Sequence, residues 1–156
     1  MQKITPCLWF EQNADEAVEF YTSVFPDAKI EGVAYYGDAG PLPKGLLLTA
    51  TLSLLGQQFM ILNGGPYAKF TPAVSFIIHC ETQAEVDAYW DKLRDGGVEE
   101  QCGWLKDKFG VSWQIVPTIL EKLMTDPDPA RALRVTEAML KMVKLDIAEL
   151  ERAYSQ

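Results

Sequence analysis

The sequence is poor in the residues that bind metals and cross-link chains. It holds one histidine, His79, in 156 residues, and its three cysteines, Cys7, Cys80 and Cys102, are far apart with no CxxC pair. Odd, dispersed cysteines argue against a disulfide framework or zinc knuckle and fit reduced thiols in a cytoplasmic protein. Cys7 and Cys80 lie in apolar runs and are expected to be buried small hydrophobes. Cations are also scarce. Fourteen Lys and Arg stand against 22 Asp and Glu, a formal charge of −8, and no basic stripe gathers them, so nucleic acid is excluded as a partner. No apolar run approaches the ~20 residues that span a bilayer, and Met1 to Gln12 lacks the order of a signal peptide. A cytoplasmic chain with no membrane partner is expected.

What is present is a repeated pattern. Ile4 to Phe10 is an apolar, β-rich run, after which Asn13 to Phe25 switches to helical spacing, with Ala14, Ala17, Val18, Tyr21 and Phe25 on one stripe. Asn13 and Glu16 read as an N-cap and its partner. Ala28 to Tyr36, Leu46 to Leu55 and Gln57 to Leu62 follow as strands, with a hairpin turn at Leu55-Gly56-Gln57. Gly37 to Gly45, with three Gly and two Pro, is a mobile loop. The order then restarts: Ala73 to Cys80 is a strand, Thr82 caps a helix from Gln83 to Arg94, and Val98 to Pro117 holds short strands with a turn near Lys108 to Gly110. Phe20-Tyr21 answers Tyr89-Trp90, and the run Gly56 to Leu62 answers Gly110 to Val116, which indicates an internal duplication. After Pro117 the chain is helical, over Thr118 to Met124, Ala130 to Val143 and Ile147 to Tyr154. Leu133, Met139, Leu140, Met142 and Val143 give the long helix an apolar face that must dock, and periodicity leaves open whether it docks on its own sheet or, by slight preference, on a second subunit.

These residues resemble the vicinal oxygen chelate superfamily of glyoxalase, bleomycin-resistance and extradiol dioxygenase relatives, and within it the PhnB-like group described as demethylubiquinone methyltransferase-like. The resemblance is carried by Thr5-Pro6-Cys7-Leu8-Trp9-Phe10, the segment Phe20 to Pro26, Asn63-Gly64-Gly65-Pro66, Val74-Ser75-Phe76 and the segment Cys102 to Pro117, and it extends into the tail from Asp126 to Met142. It implies a single α+β domain: module one over 1–66 and module two over 72–117, paired βαβββ units curling into an eight-stranded, cup-like mixed sheet, then a helical tail over 118–156. It also implies a homodimer with a small-molecule ligand inside the cup.

Metal-dependent relatives draw His or Glu ligands from four strand positions, which match Pro6, Met60, Ala73 and Gln114. Lewis-acid metals need about three such donors with one position left open, and only Gln114 offers an oxygen. A slip of one residue brings in no His or carboxylate, so no metal and no cofactor are expected. His79 is the candidate general base, with Ser75 on the same strand face and Gln114 across from it; these are the candidate catalytic residues if the cup is an enzyme of the isomerase, lyase or transferase kind. Trp104, Phe59, Met60, Tyr67, Cys102 and Lys106 are the candidate ligand-binding residues of an apolar, aromatic-walled pocket. Glu99 and Glu100 beside Cys102 disfavour an activated thiolate there. Trp9 and Trp113 have helix-facing parity and are assigned to the core, and Lys106, Asp107 and Lys108 read as a solvated turn. Asn63-Gly64-Gly65-Pro66 lacks the strand-to-helix context of a nucleotide or methyl-donor loop and reads as a turn. The methyltransferase description therefore has no support in these residues.

Overall fold

The computed structural model describes residues 2–156. They form two compact units divided between Phe70 and Thr71. In the first unit β1 (Cys7–Phe10) leads into α1 (Ala14–Val24), followed by β2 (Lys29–Tyr35), β3 (Leu47–Leu54) and β4 (Gln57–Asn63). Its sheet has the order β1-β4-β3-β2, with β1 parallel to β4 and the other pairs antiparallel. The second unit repeats this plan: β5 (Ser75–Cys80), α2 (Gln83–Leu93), β6 (Val98–Glu99), β7 (Trp104–Lys106) and β8 (Ser112–Pro117) give the order β5-β8-β7-β6, with β5 parallel to β8. The eight expected strands are thus present, hydrogen-bonded as two four-stranded mixed sheets, and the repeated topology matches the duplication read from the sequence.

Each sheet has a helix-side face and an open face. In the first unit Ala14, Ala17, Phe20, Tyr21 and Val24 of α1 are buried, and α1 packs on β3 and β4. The larger apolar side chains among them, Phe20 and Val24, contribute about 1.5–3 kcal/mol each when fully buried. Tyr21 and Trp90 hold matching places in α1 and α2, at 0% and 2% exposure, so the paired aromatics are the core-facing side of each copy. The hairpin between β3 and β4 turns through Leu55 and Gly56, both at positive φ (50° and 78°), the conformation that a two-residue hairpin loop requires.

The start of α1 differs from expectation. Asn13 occupies the N-cap but its side chain makes no cap hydrogen bond; the Ala14 N–H instead donates to Asn63 Oδ1 at 2.9 Å. Asn63, 1% exposed, also donates from Nδ2 to the Leu47 carbonyl (2.9 Å) and accepts the Tyr36 hydroxyl on its own carbonyl (2.5 Å). One buried amide therefore ties the helix start, β3 and the end of β4. α2 begins as expected, with Thr82 Oγ1 accepting the Glu85 N–H at 3.2 Å.

The tail forms α3 (Thr118–Met124), α4 (Pro129–Leu140) and α5 (Ile147–Ser155) and belongs to the second unit. Leu120, Leu123, Val135, Leu145 and Leu150 make its buried cluster, with Val116 of β8 and Met139 packed against it. Met139 and Met142 of the expected docking face thus pack on the tail's own cluster. α4 also ends three residues earlier than expected, at Leu140. The reason is backbone pairing: the carbonyls of Met142 and Val143 accept the N–H groups of Cys102 and Gly103 at 2.9 and 2.8 Å. Gln83 of α2 clasps the same stretch, donating to the Leu145 carbonyl (3.1 Å) and accepting from the Ile147 N–H (2.8 Å). Lys144 adds an ion pair to Asp87 at 2.8 Å. Leu133, Leu140 and Val143, the other three members of that face, remain exposed.

Candidate functional site

β5 and β8 set the site by their register. Ile77 lies beside Gln114 and His79 beside Val116, and alternation puts all four on the open face while Phe76, Ile78 and Cys80 turn toward the helix side. Ser75 shares that open face and accepts the Gln114 Nε2 donor on its hydroxyl at 2.9 Å. β7 places Trp104 across from Gln114 on the other side. The chain passes from β8 into α3 without a loop, because Pro117 has extended dihedrals (φ −62°, ψ 134°) and serves as the N-cap.

These elements enclose a half-open cavity of about 490 Å³ within the second unit, with Ile77, His79, Gln114 and Val116 from the sheet and Cys102 and Trp104 from the β7 side. α3 adds Leu120, Glu121 and Met124, α4 adds Met139, and the walls are mostly apolar. His79, Gln114, Trp104 and Cys102 are therefore brought together, and Ser75 stands behind Gln114 as its hydrogen-bond partner. Lys106 does not line this cavity; its ammonium pairs with Glu100 at 3.5 Å. Glu99 is likewise engaged, accepting Trp90 Nε1 at 2.9 Å and Arg94 at 3.2 Å. Cys102 has a positive φ of 61°, forced by the turn that presents its N–H to the tail. Cys80 is fully buried, and burial, with Glu85 adding to it, pushes its thiol up to about 11, which makes it an inert core residue.

The remaining sequence candidates lie in the first unit. Phe59 is a core residue at 5% exposure on the helix-side face, so it cannot share a wall with its neighbour Met60, which points from the open face. Tyr67 is exposed in the segment after β4. Three readings need correction. Trp9 sits on the open face, because β1 pairs with β4 so that Leu8 and Phe10 take the helix side; its Nε1 donates to the Gly65 carbonyl at 2.9 Å. Asp107 is buried, not solvated: its carboxylate accepts the N–H groups of Phe109 and Val111 (2.9 and 3.0 Å) and Trp113 Nε1 (3.0 Å). Cys7 is exposed, on the same open face as Trp9. Trp113 is a core residue, as its parity predicts.

The cavity residues that the sequence reading missed include Ile77 and Val116 of the sheet and Thr118, Leu120, Glu121 and Met124 of α3. The direct passage from β8 into α3 at Pro117 keeps the helix close to the strand it leaves, but which face it covers is set by tertiary packing. Met139 had been assigned to a docking face.

The four metal-ligand positions of the superfamily do not fit a divalent ion. Met60 accompanies Pro6, whose carbonyl accepts the Met60 N–H at 2.8 Å. Ala73 lies ahead of β5, and the β5 residues nearest Gln114 are Ile77, in register with it, and Ser75, which it hydrogen-bonds. Among the described residues, no group of three or more His, Cys, Asp or Glu is arranged to hold a metal ion. The Asn63 to Pro66 segment is a turn: Gly65 has φ 90°, and Gly64 lies so close under the Trp9 indole that a Cβ there would meet it at 2.3 Å. Among the described residues, no helix is long and apolar enough to cross a membrane.

Comparison with known proteins gives the lineage. The family model described as 3-demethylubiquinone-9 3-methyltransferase matches residues 2–116. A solved structure described as a putative 3-demethylubiquinone-9 3-methyltransferase, PhnB protein, from Bacillus cereus is 39% identical, covering 75% of this chain and 100% of that one, with a TM-score of 0.69. Protein PA1353 from Pseudomonas aeruginosa is 23% identical over 75% of this chain and 98% of its own, at a TM-score of 0.64. The fosfomycin resistance protein FosX from Listeria monocytogenes, at 15% identity, TM-score 0.53 and coverage of 78% and 97%, shares the fold. No curated protein matches the chain. The family match stops at residue 116, so α3 to α5 lie beyond it, although the resemblance in sequence was extended into them. With three quarters of its length matched by the PhnB structure and most of it by the family model, this chain belongs to the PhnB-like, 3-demethylubiquinone-9 3-methyltransferase family of vicinal oxygen chelate fold.

Proposed function

We propose that the chain binds a small, apolar or aromatic molecule in the second unit's cavity and does so without a metal ion. The observation that carries this reading is the cavity itself, about 490 Å³ with mostly apolar walls and a few polar groups at defined places, the usual form of a small-molecule site. Trp104, Met124 and Met139 would hold the body of the ligand, and His79 and Gln114 would orient it. The family description names a methyl transfer, but the glycine pair that invites a methyl-donor loop is used to seat Trp9. Nothing in the residues of the site favours that chemistry.

A second reading, metal-independent catalysis of the isomerase, lyase or transferase kind, is favoured by one observation: His79 and Gln114, on neighbouring strands, line the same cavity. Exposed apolar side chains, Leu133 and Leu140 on α4, also favour a homodimer, since a second copy is an economical cover for such surface.

Native mass spectrometry of freshly purified, untagged protein tests these readings together. The expected spectrum shows a dimer carrying an organic ligand that Trp104→Ala loses. A stoichiometric divalent ion retained without added metal would refute the metal-free site. Turnover of the recovered ligand by the wild type and not by His79→Ala would move the assignment from binding protein to enzyme.

A further inference from the structure

One buried group in the second unit has no use in the fold. Ser112 is 1% exposed, yet its hydroxyl meets no hydrogen-bond partner, and among the described residues it is the one buried side-chain oxygen or nitrogen left so. The other buried polar side chains, Asn63 and Asp107, are bonded to helix starts, strands and turns. A hydroxyl buried without a partner destabilises the fold that contains it, so its place there calls for another reason. Register shows where it lies. Ser112 stands two residues before Gln114 on β8, hence on the same open face, with Ser75 of β5 and Lys106 of β7 beside it in register. Gln114 reaches back diagonally to that row, its Nε2 donating to Ser75 Oγ at 2.9 Å. Gln114 lines the cavity and neither serine does, so its amide is the boundary between the cavity and the two hydroxyls. Because Ser75 accepts that bond, it keeps its own proton to donate. Lys106 is turned to Glu100, 3.5 Å away.

From this we infer that Ser75 and Ser112 form a concealed polar end of the cavity, uncovered when Gln114 turns its amide from Ser75 to the ligand, and that the ligand is an apolar or aromatic molecule ending in a carbonyl or hydroxyl oxygen. The inference rests on the cavity reading above and deepens it by naming the ligand's head group. Hydroxyls rotate to donate or to accept, so a single oxygen can bridge both serines. The unmet hydrogen bond of Ser112 is then made only when such a ligand is present. A hydrocarbon of the same shape leaves the hydroxyl unpaired, and a site built around a buried polar group discriminates most sharply against that class.

Ser112→Ala tests it in two ways on the full chain. In calorimetry without ligand, the variant is expected to melt about 2–6 °C above the wild type, because the unpaired hydroxyl is gone. An equal or lower melting temperature would show that Ser112 is bonded within the fold, and overturns the inference. In NMR titrations, acetophenone and isopropenylbenzene serve as probes of nearly one shape, the first with an oxygen where the second has a methylene group. The variant is expected to bind acetophenone more weakly and isopropenylbenzene more tightly, so that the ratio of their dissociation constants moves by about tenfold or more. A ratio that stays put removes Ser112 from the ligand's reach and leaves the cavity reading standing. If neither probe binds the wild type, both readings fail.

Discussion

Replacing Gly64 by alanine separates two readings of the Asn63 to Pro66 segment. In the structure an added Cβ would lie 2.3 Å from two indole atoms of Trp9 and 2.7 Å from a third, well inside van der Waals contact, so the ring must move. Moving it strains the Trp9 Nε1 bond to the Gly65 carbonyl, now 2.9 Å. Forcing a methyl group into packed surroundings costs about 1–3 kcal/mol, and losing a part-buried hydrogen bond adds about 0.5–1.5 kcal/mol. The sum is about 3 kcal/mol. For a chain of this size each kcal/mol lowers Tm by roughly 2–4 °C, so a fall of about 6–12 °C is expected in calorimetry. A second substitution, Trp9→Leu, removes the obstacle, and the two changes together should be less damaging than their sum by about 1 kcal/mol or more. A melting temperature unchanged in Gly64→Ala, or strictly additive losses, would refute the packing argument and reopen the segment as a loop kept for a ligand.

Two further outcomes follow from named contacts. Asp107→Asn turns an amide N–H₂ toward donors that the carboxylate now accepts from Phe109, Val111 and Trp113; a loss of about 2–4 kcal/mol in urea denaturation is expected, and a loss below about 0.5 kcal/mol would show that the turn relaxes freely. Asp87 and Asp126 are both held below the usual carboxylate range, Asp87 chiefly by the Lys144 hydrogen bond and then by Gln83, Asp126 chiefly by the Asp128 N–H and then by the Tyr154 hydroxyl. A carboxyl whose folded value is depressed adds stability above its unfolded value and loses it as pH falls through the folded one. The tail should therefore loosen on acidification below about pH 4, and NMR shifts of the Cys102 and Gly103 amides, which donate to Met142 and Val143, report it; loosening already at pH 6 would assign the tail's hold to other groups.

How much was legible in the chain depended on whether a local signal fixed the phase. The β3–β4 hairpin was readable because Leu55-Gly56 carries its own turn chemistry. The phase of β1 was not: Ile4 to Phe10 is apolar at nearly every position, so the parity assigned to Trp9 had little to hold it, and its facing is decided by pairing with β4, more than fifty residues away in sequence. The cap of α1 failed in the same way, since Asn63, at the end of the neighbouring strand β4 but distant in sequence, supplies the contact that the local candidate Asn13 does not. Asp107 looked solvated because two lysines flank it, and only the fold shows that three donors converge on it. In the site, alternation along β5 was readable from spacing, whereas Gln114, expected across from that face, stands on the neighbouring strand as the hydrogen-bond partner of Ser75. The α3 wall was not, because helical periodicity says that a face is apolar without saying what it covers.

Trp9 and His79 occupy the same seat in two copies of one unit, as Met60 and Gln114 do one strand over. Duplication therefore left the molecule with a spare. One copy could harden into bracing, its seat filled by an indole wedged over glycine, while its twin drifted toward recognition without the fold losing its footing. Such a division of labour leaves residues on the second face open to change without disturbing the indole packing that braces the first.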